Sequence, residues 1–105
     1  MSLQLEAGEC SQALEAGAWL VDVREPHETG RLGFDHPHCV QMPLSRFQQR
    51  FHELPRDRQV VLACATGARS FQAMQFLVHH GYTQVANLRG GIGMWAAHGL
   101  PVRRA

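Results

Sequence analysis

QVVLACATGARSFQAMQFLVHHG, residues 59–81, is the stretch from which the rest of the chain is read. It opens on an apolar run rich in β-branched residues, which predicts a short buried strand. The run ends on Cys64. Four small or polar residues follow, then Arg69, five positions after the cysteine. From there Phe71, Met74, Leu77 and Val78 recur at helical spacing and predict a helix with those residues on its inner face. Gly81 is the expected residue at its carboxyl end. The order strand, tight loop, helix puts Cys64 at the carboxyl edge of a sheet, where open α/β sheets bind their ligands.

The loop between strand and helix suits an anion. Its amides, turned inward, form a nest, and the helix start adds partial positive charge. A Cys64 thiolate in that setting is stabilised, and its pKa is expected below the free value near about 8.5. Ala65, Gly67 and Ala68 are small enough for close backbone approach, and Thr66 carries a hydroxyl donor. Arg69 offers a planar fork that can neutralise and orient an anionic substrate. Ser70 has two readings, a helix cap or a donor to the sulfur. A strand-end cysteine alone is often only core filling; the glycine, the arginine and the following helix together point to chemistry.

Working outward, Glu6 to Ala16 reads as a short helix, with Ala7, Cys10 and Leu14 on one side. WLVDV, Trp19 to Val23, reads as a second buried strand with an acid, Asp22, near its end. REPHETG turns the chain, with Pro26 suited to a first helical position. GRLGFDHPH reads as a loop and CVQM as a short strand. PLSRFQQRFHELP reads as a helix capped by Ser45, with Leu44, Phe47, Phe51 and Leu54 on one face. QVANL is a further strand, GGIGMWAAHG a last short helix, and the terminal RRA a solvated tail or a weak contact for an acidic partner. Strands alternating with helices predict an α/β fold with a mainly parallel central sheet covered on both faces.

The chain has 105 residues, three cysteines and a formal net charge of +1, with 45% hydrophobic and 18% charged residues. The length suits one domain, residues 1–105. The charge balance argues against nucleic acid or an anionic membrane as partner. An odd, irregularly spaced set of cysteines is not a disulfide framework, and no CxxC pair suggests structural zinc. The N-terminal MSLQLEAGECSQ has neither a basic nor a long apolar leader region, and a reducing cytoplasm is the expected setting. A monomer is expected, since no exposed heptad is evident. HPHC, His36 to Cys39, reads as a surface loop, and no metal is expected. His27 near the mouth reads as a solvated loop histidine, and His79 and His80 as structural residues in a last helical turn. Trp95 reads as core, and Gly90 and Gly91 as a tight turn beside the cysteine loop. Nothing in their spacing makes Cys10 or Cys39 a resolving thiol.

Three stretches now carry a resemblance. CATGARS resembles the active-site loop of rhodanese-type sulfurtransferases, LVDVREPHE (Leu20 to Glu28) resembles that family's Asp-Val-Arg-Glu segment, and LRGGIGMWAAHGLPV (Leu88 to Val102) resembles its C-terminal Gly-Gly-x-x-x-Trp signature. They lie in family order and span nearly the whole chain. The segment from Gly30 to Met42 departs from the family pattern.

The resemblance implies a single rhodanese-type domain that moves a sulfane sulfur from a donor such as thiosulfate, or from a protein persulfide, to a thiol, or to cyanide in an assay. Cys64 would be the nucleophile and carry a persulfide, within the loop Ala65, Thr66, Gly67, Ala68, Arg69 and Ser70. Asp22 would accept hydrogen bonds from loop groups, and Arg24 would brace the site by an ion pair. No cofactor is implied. Phosphatases of the cell-cycle dual-specificity type share the fold but carry one more loop residue, so the short loop favours sulfur transfer over phosphatase or arsenate-reductase chemistry. A partner-fed sulfur carrier or binding module is the alternative from another class.

Overall fold

The computed structural model describes residues 3–105; Met1 and Ser2, the start of the expected domain, lie outside the described residues. Five strands form the central sheet: β1 (Gln4–Leu5), β2 (Trp19–Asp22), β4 (Cys39–Gln41), β5 (Val60–Ala63) and β6 (Val85–Leu88). Their spatial order is β1-β6-β5-β2-β4, and each pairing is parallel. The helices are α1 (Ala7–Glu15), α2 (Pro26–Thr29), α3 (Phe47–Arg50), α4 (Ala68–His79) and α5 (Gly91–Ala97). The fold is a single α/β domain with a parallel sheet between helical layers, as the alternation of strands and helices predicts.

The central strand shows how the core is divided. Val60, Leu62 and Cys64 pack on one face with Met74 and Leu77 of α4 and Phe47 of α3. Val61 and Ala63 face the opposite way, onto Leu14 of α1 and Ile92 and Trp95 of α5. Alternate side chains point to opposite faces of a strand, so an unbroken apolar run is needed when both faces are covered. Each such buried Val or Leu contributes about 1.5–3 kcal/mol through removal from water.

Several expectations are corrected. GRLGFDHPH is not only loop: β3 (Leu32–Phe34) pairs antiparallel with β7 (Val102–Arg104), so the terminal RRA is mostly strand rather than tail. Phe34 is buried and meets Trp95 edge to face, ring centroids 5.3 Å apart. The pairing joins segments some 70 positions apart, beyond the reach of local pattern. β1 also pairs, with β6, although no strand was expected there. PLSRFQQRFHELP is not one helix: a 3₁₀ turn (Leu44–Arg46), α3 and a second 3₁₀ turn (Phe51–Glu53) follow one another. Ser45 does not cap it, because its hydroxyl and N–H both donate to Glu25, at 2.8 and 3.2 Å. On α4 Met74 and Leu77 are buried with Ser70 and Ala73, and Phe71 packs partly buried against the same core, whereas Val78 is exposed.

Candidate active site

β5 ends at Ala63, and the next residue, Cys64, is buried at 1% exposure. The chain turns at once. Gly67 has φ +108°, a left-handed conformation that side chains disfavour. That turn aims the Gly67 N–H at Cys64 Sγ, 3.0 Å away. α4 begins one residue later and brings the Ser70 hydroxyl to 3.4 Å from the same sulfur. Burial alone would push the thiol up. The Ser70 hydroxyl and the backbone N–H groups of Ser70, Gly67 and Thr66 outweigh it and hold the thiol below its ordinary value. Among the loop residues, Gly67 and Ser70 are buried, while Thr66 and Ala68 are exposed.

The loop is held from behind by α5. Ile92 N–H donates to Cys64 O at 2.9 Å, and Gly93 N–H to Ala65 O at 3.4 Å. The free N–H groups at the start of a helix thereby satisfy the carbonyls of the cysteine loop. A Cβ on Gly91 would run into Cys64 O and the Ala65 carbonyl, so glycine is required for this close approach. The expected turn at Gly90 and Gly91 does lie beside the loop.

Asn87, on β6, was not singled out in the sequence, yet it ties the site together. It is buried at 1% exposure. Its Nδ2 donates to Gly67 O and to Gln4 Oε1, both at 3.0 Å. Its Oδ1 accepts from Ser70 Oγ at 2.5 Å. The available signal was a single amide in an otherwise apolar strand, VANL, since a buried polar side chain needs partners.

Arg69 holds a carboxylate. Its Nη1 and Nη2 donate to the two carboxylate oxygens of Glu28 at 2.8 and 2.7 Å. Glu28 also accepts the Glu25 N–H at 3.0 Å. The Arg69 hydrogen bonds, then the Glu25 N–H, lower the Glu28 carboxyl to about 2, and the same pairing raises Arg69. Glu28 stands in the quoted LVDVREPHE stretch, but no role was assigned to it.

Asp22 and Arg24 do stand at the site edge, both buried, and form an ion pair. The pair is with each other: Arg24 N, Nε and Nη2 donate to the Asp22 carboxylate at 3.1, 3.0 and 2.7 Å. The hydrogen bonds into Asp22 thus come from Arg24 rather than from the cysteine loop. Arg24 also lies over the Phe34 ring, 5.8 Å from its centroid.

The three cysteines are free. Burial pushes the Cys10 and Cys39 thiols up to about 12, opposite in direction to Cys64. In HPHC, His36 Nδ1 accepts the His38 N–H at 3.0 Å, and the His38 ring contacts Leu14 O at 2.9 Å. Among the described residues no group of three or more His, Cys, Asp or Glu could hold a metal ion, and no helix is long and apolar enough to cross a membrane. His27 is exposed on α2.

A parallel α/β sheet with a cysteine nest at its carboxyl edge, backed by a Gly-Gly helix start, defines the rhodanese-like class. The Rhodanese-like domain family matches residues 6–98, and the chain belongs to that family. It is 47% identical over 83 residues to a sulfurtransferase of Allochromatium vinosum, covering 79% of this chain and 76% of that one. It is 32% identical over 93 residues to the thiosulfate sulfurtransferase GlpE of Actinobacillus pleuropneumoniae, covering 85% and 81%. The crystal structure of a rhodanese-related protein from Thermoplasma volcanium superposes with a TM-score of 0.84 at 29% identity, covering 95% of this chain and 96% of that one. These relatives support sulfurtransferase activity of the rhodanese type.

Proposed function

We propose that the protein transfers a sulfane sulfur through a persulfide on Cys64. The observation that carries this reading is the sulfur's setting: Cys64 Sγ is buried, receives the Gly67 N–H at 3.0 Å, lies 3.4 Å from the Ser70 hydroxyl, and has a lowered thiol pKa. A thiolate so stabilised attacks without a general base. With thiosulfate, its lone pair forms a bond to the outer sulfur. The sulfur–sulfur bond of the donor breaks, and its electron pair leaves with sulfite. Cys64 then carries S–S⁻, with the negative charge near the loop amides. An acceptor nucleophile, cyanide in an assay or a thiol, takes the outer sulfur and returns Cys64 to the thiolate. The donor is thiosulfate or a thiol-bound persulfide, and the setting is a reducing compartment.

Steady-state kinetics with thiosulfate and cyanide test the reading. Parallel double-reciprocal lines and loss of turnover in Cys64→Ser are expected for a covalent two-step route. Intersecting lines, or turnover that survives Cys64→Ser, would refute it. Uptake of sulfur only from a protein persulfide would assign the partner-fed carrier role instead.

A further inference from the structure

Arg24 and Arg69 each already hold a carboxylate. Arg24 pairs with Asp22, and Arg69 pairs with Glu28. The two positive and two negative charges cancel before any thiolate forms at Cys64. Arg69 stands in the first turn of α4, next to Ser70, whose hydroxyl lies 3.4 Å from Cys64 Sγ, so the fork springs from the rim of the cysteine loop. Its fork nevertheless points at Glu28, with one terminal nitrogen on each carboxylate oxygen. Glu28 is fixed in turn: it accepts the Glu25 N–H from the first turn of α2, and Glu25 holds the N–H and hydroxyl of Ser45. The carboxylate thus reaches Arg69 from an anchored element. Its lowered pKa keeps it ionised throughout the neutral range.

We propose that Glu28 is a positioning residue that sets the donor selectivity of the site by occupying the Arg69 fork. A small dianion such as thiosulfate must displace a carboxylate to reach Arg69. A donor that presents its sulfane sulfur on a thiol, as a persulfide, reaches Cys64 with no need of that fork. The selectivity for thiol-bound sulfur rests on the sulfurtransferase reading; the competition between Glu28 and an anion does not.

The test uses sulfate, which occupies an anion site but carries no sulfane sulfur. Alkylation of Cys64 by iodoacetamide is followed against sulfate concentration in wild type, Glu28→Gln and Glu28→Ala. Glutamine keeps an acceptor for the Glu25 N–H and so preserves the start of α2, which leaves a folded variant if alanine loosens it. The half-protecting sulfate concentration is expected to fall about two- to fivefold in the variants, the scale of a partly exposed ion pair. The KM for thiosulfate should fall in parallel, with the larger part of the change in KM. A half-protecting concentration that stays the same or rises, or no protection in any of the three proteins, would overturn the proposal. A merely structural Glu28 would release Arg69 from its place and raise KM. If Glu28→Gln binds sulfate more tightly while thiosulfate yields no persulfide, the anion competition stands and thiosulfate fails as donor.

Discussion

The Ser70 hydroxyl lies 2.5 Å from Asn87 Oδ1, closer than it lies to Cys64 Sγ. One hydroxyl carries one proton. The Asn87 amide is oriented by Gly67 O, which can only accept. Its Oδ1 therefore faces Ser70 as an acceptor, and the Ser70 proton is drawn either to Asn87 or to a Cys64 thiolate. Asn87 holds both the carbonyl of the turn that presents the Gly67 N–H and the hydroxyl beside the sulfur.

Asn87→Asp should weaken the site. A carboxylate cannot donate to Gly67 O and adds negative charge beside the thiolate. The Cys64 pKa is expected to rise, slowing alkylation at neutral pH up to about tenfold. Stability should fall by about 1–3 kcal/mol, because buried acceptors lose their donor. Ser70→Ala should raise the thiol pKa as well. The pH dependence of iodoacetamide alkylation, with urea unfolding, measures both effects.

The three thiols differ in reactivity. At pH 8 iodoacetamide should label Cys64 alone in the folded protein and all three cysteines after denaturation, as read by intact mass. The same shifts set the pH dependence of stability. The folded pKa of Cys64 lies below its ordinary 9.0, so its contribution is complete above pH 9 and is lost as pH falls through the folded value. Cys10 and Cys39 lie above 9.0, at about 12. Their contribution is complete below pH 9 and is lost as pH rises towards 12. Urea midpoints of wild type and Cys64→Ser should therefore diverge between neutral pH and pH 9.

The Asp22–Arg24 pair is buried, with side-chain exposures of 1% and 4%. Arg24→Ala should cost about 3–5 kcal/mol, since it leaves the Asp22 charge buried without its partner. The double change Asp22→Leu with Arg24→Met should recover much of that loss. Chemical denaturation of the single and double variants decides it.

Gly91→Ala and Gly93→Ala separate packing from helix propensity. An added Cβ at Gly91 meets backbone of Cys64 and Ala65, whereas at Gly93 the nearest atom is 3.7 Å away. Gly91→Ala should cost at least about 2 kcal/mol by overpacking and slow Cys64 alkylation through displacement of the loop. Gly93→Ala, inside α5, should be neutral or stabilising by up to about 1 kcal/mol. Unfolding midpoints measure the contrast.

The parts of this fold visible in the sequence are those coded by neighbours along the chain. Val60 to Ala63 announce a doubly covered strand by their unbroken apolar character, and Cys64 to Ser70 announce a nest by small residues before a helix. β3 and β7 are three residues each, and their pairing, like the packing of Phe34 on Trp95, joins segments far apart in the chain that no local pattern connects. The segment around Ser45 has helical spacing, but the hydroxyl expected to cap it is drawn to Glu25 from another element. The same limit applies at the site. Cys64 and its loop were legible, and so was the carboxylate end of Trp19 to Val23. The pairing of Arg69 with Glu28, 41 positions away, is tertiary and has no local signal. Asn87 acts through Gly67 and Ser70, and its role exists only once β6 lies beside β5.

The central claim is that Cys64 carries the sulfur. The most direct measurement is the intact mass of wild type and Cys64→Ser after incubation with thiosulfate or with a thiol persulfide. Wild type should gain roughly 32 Da, one sulfur, which cyanide then removes, and Cys64→Ser should gain none. No gain in wild type from either donor, or an equal gain in Cys64→Ser, would contradict the account.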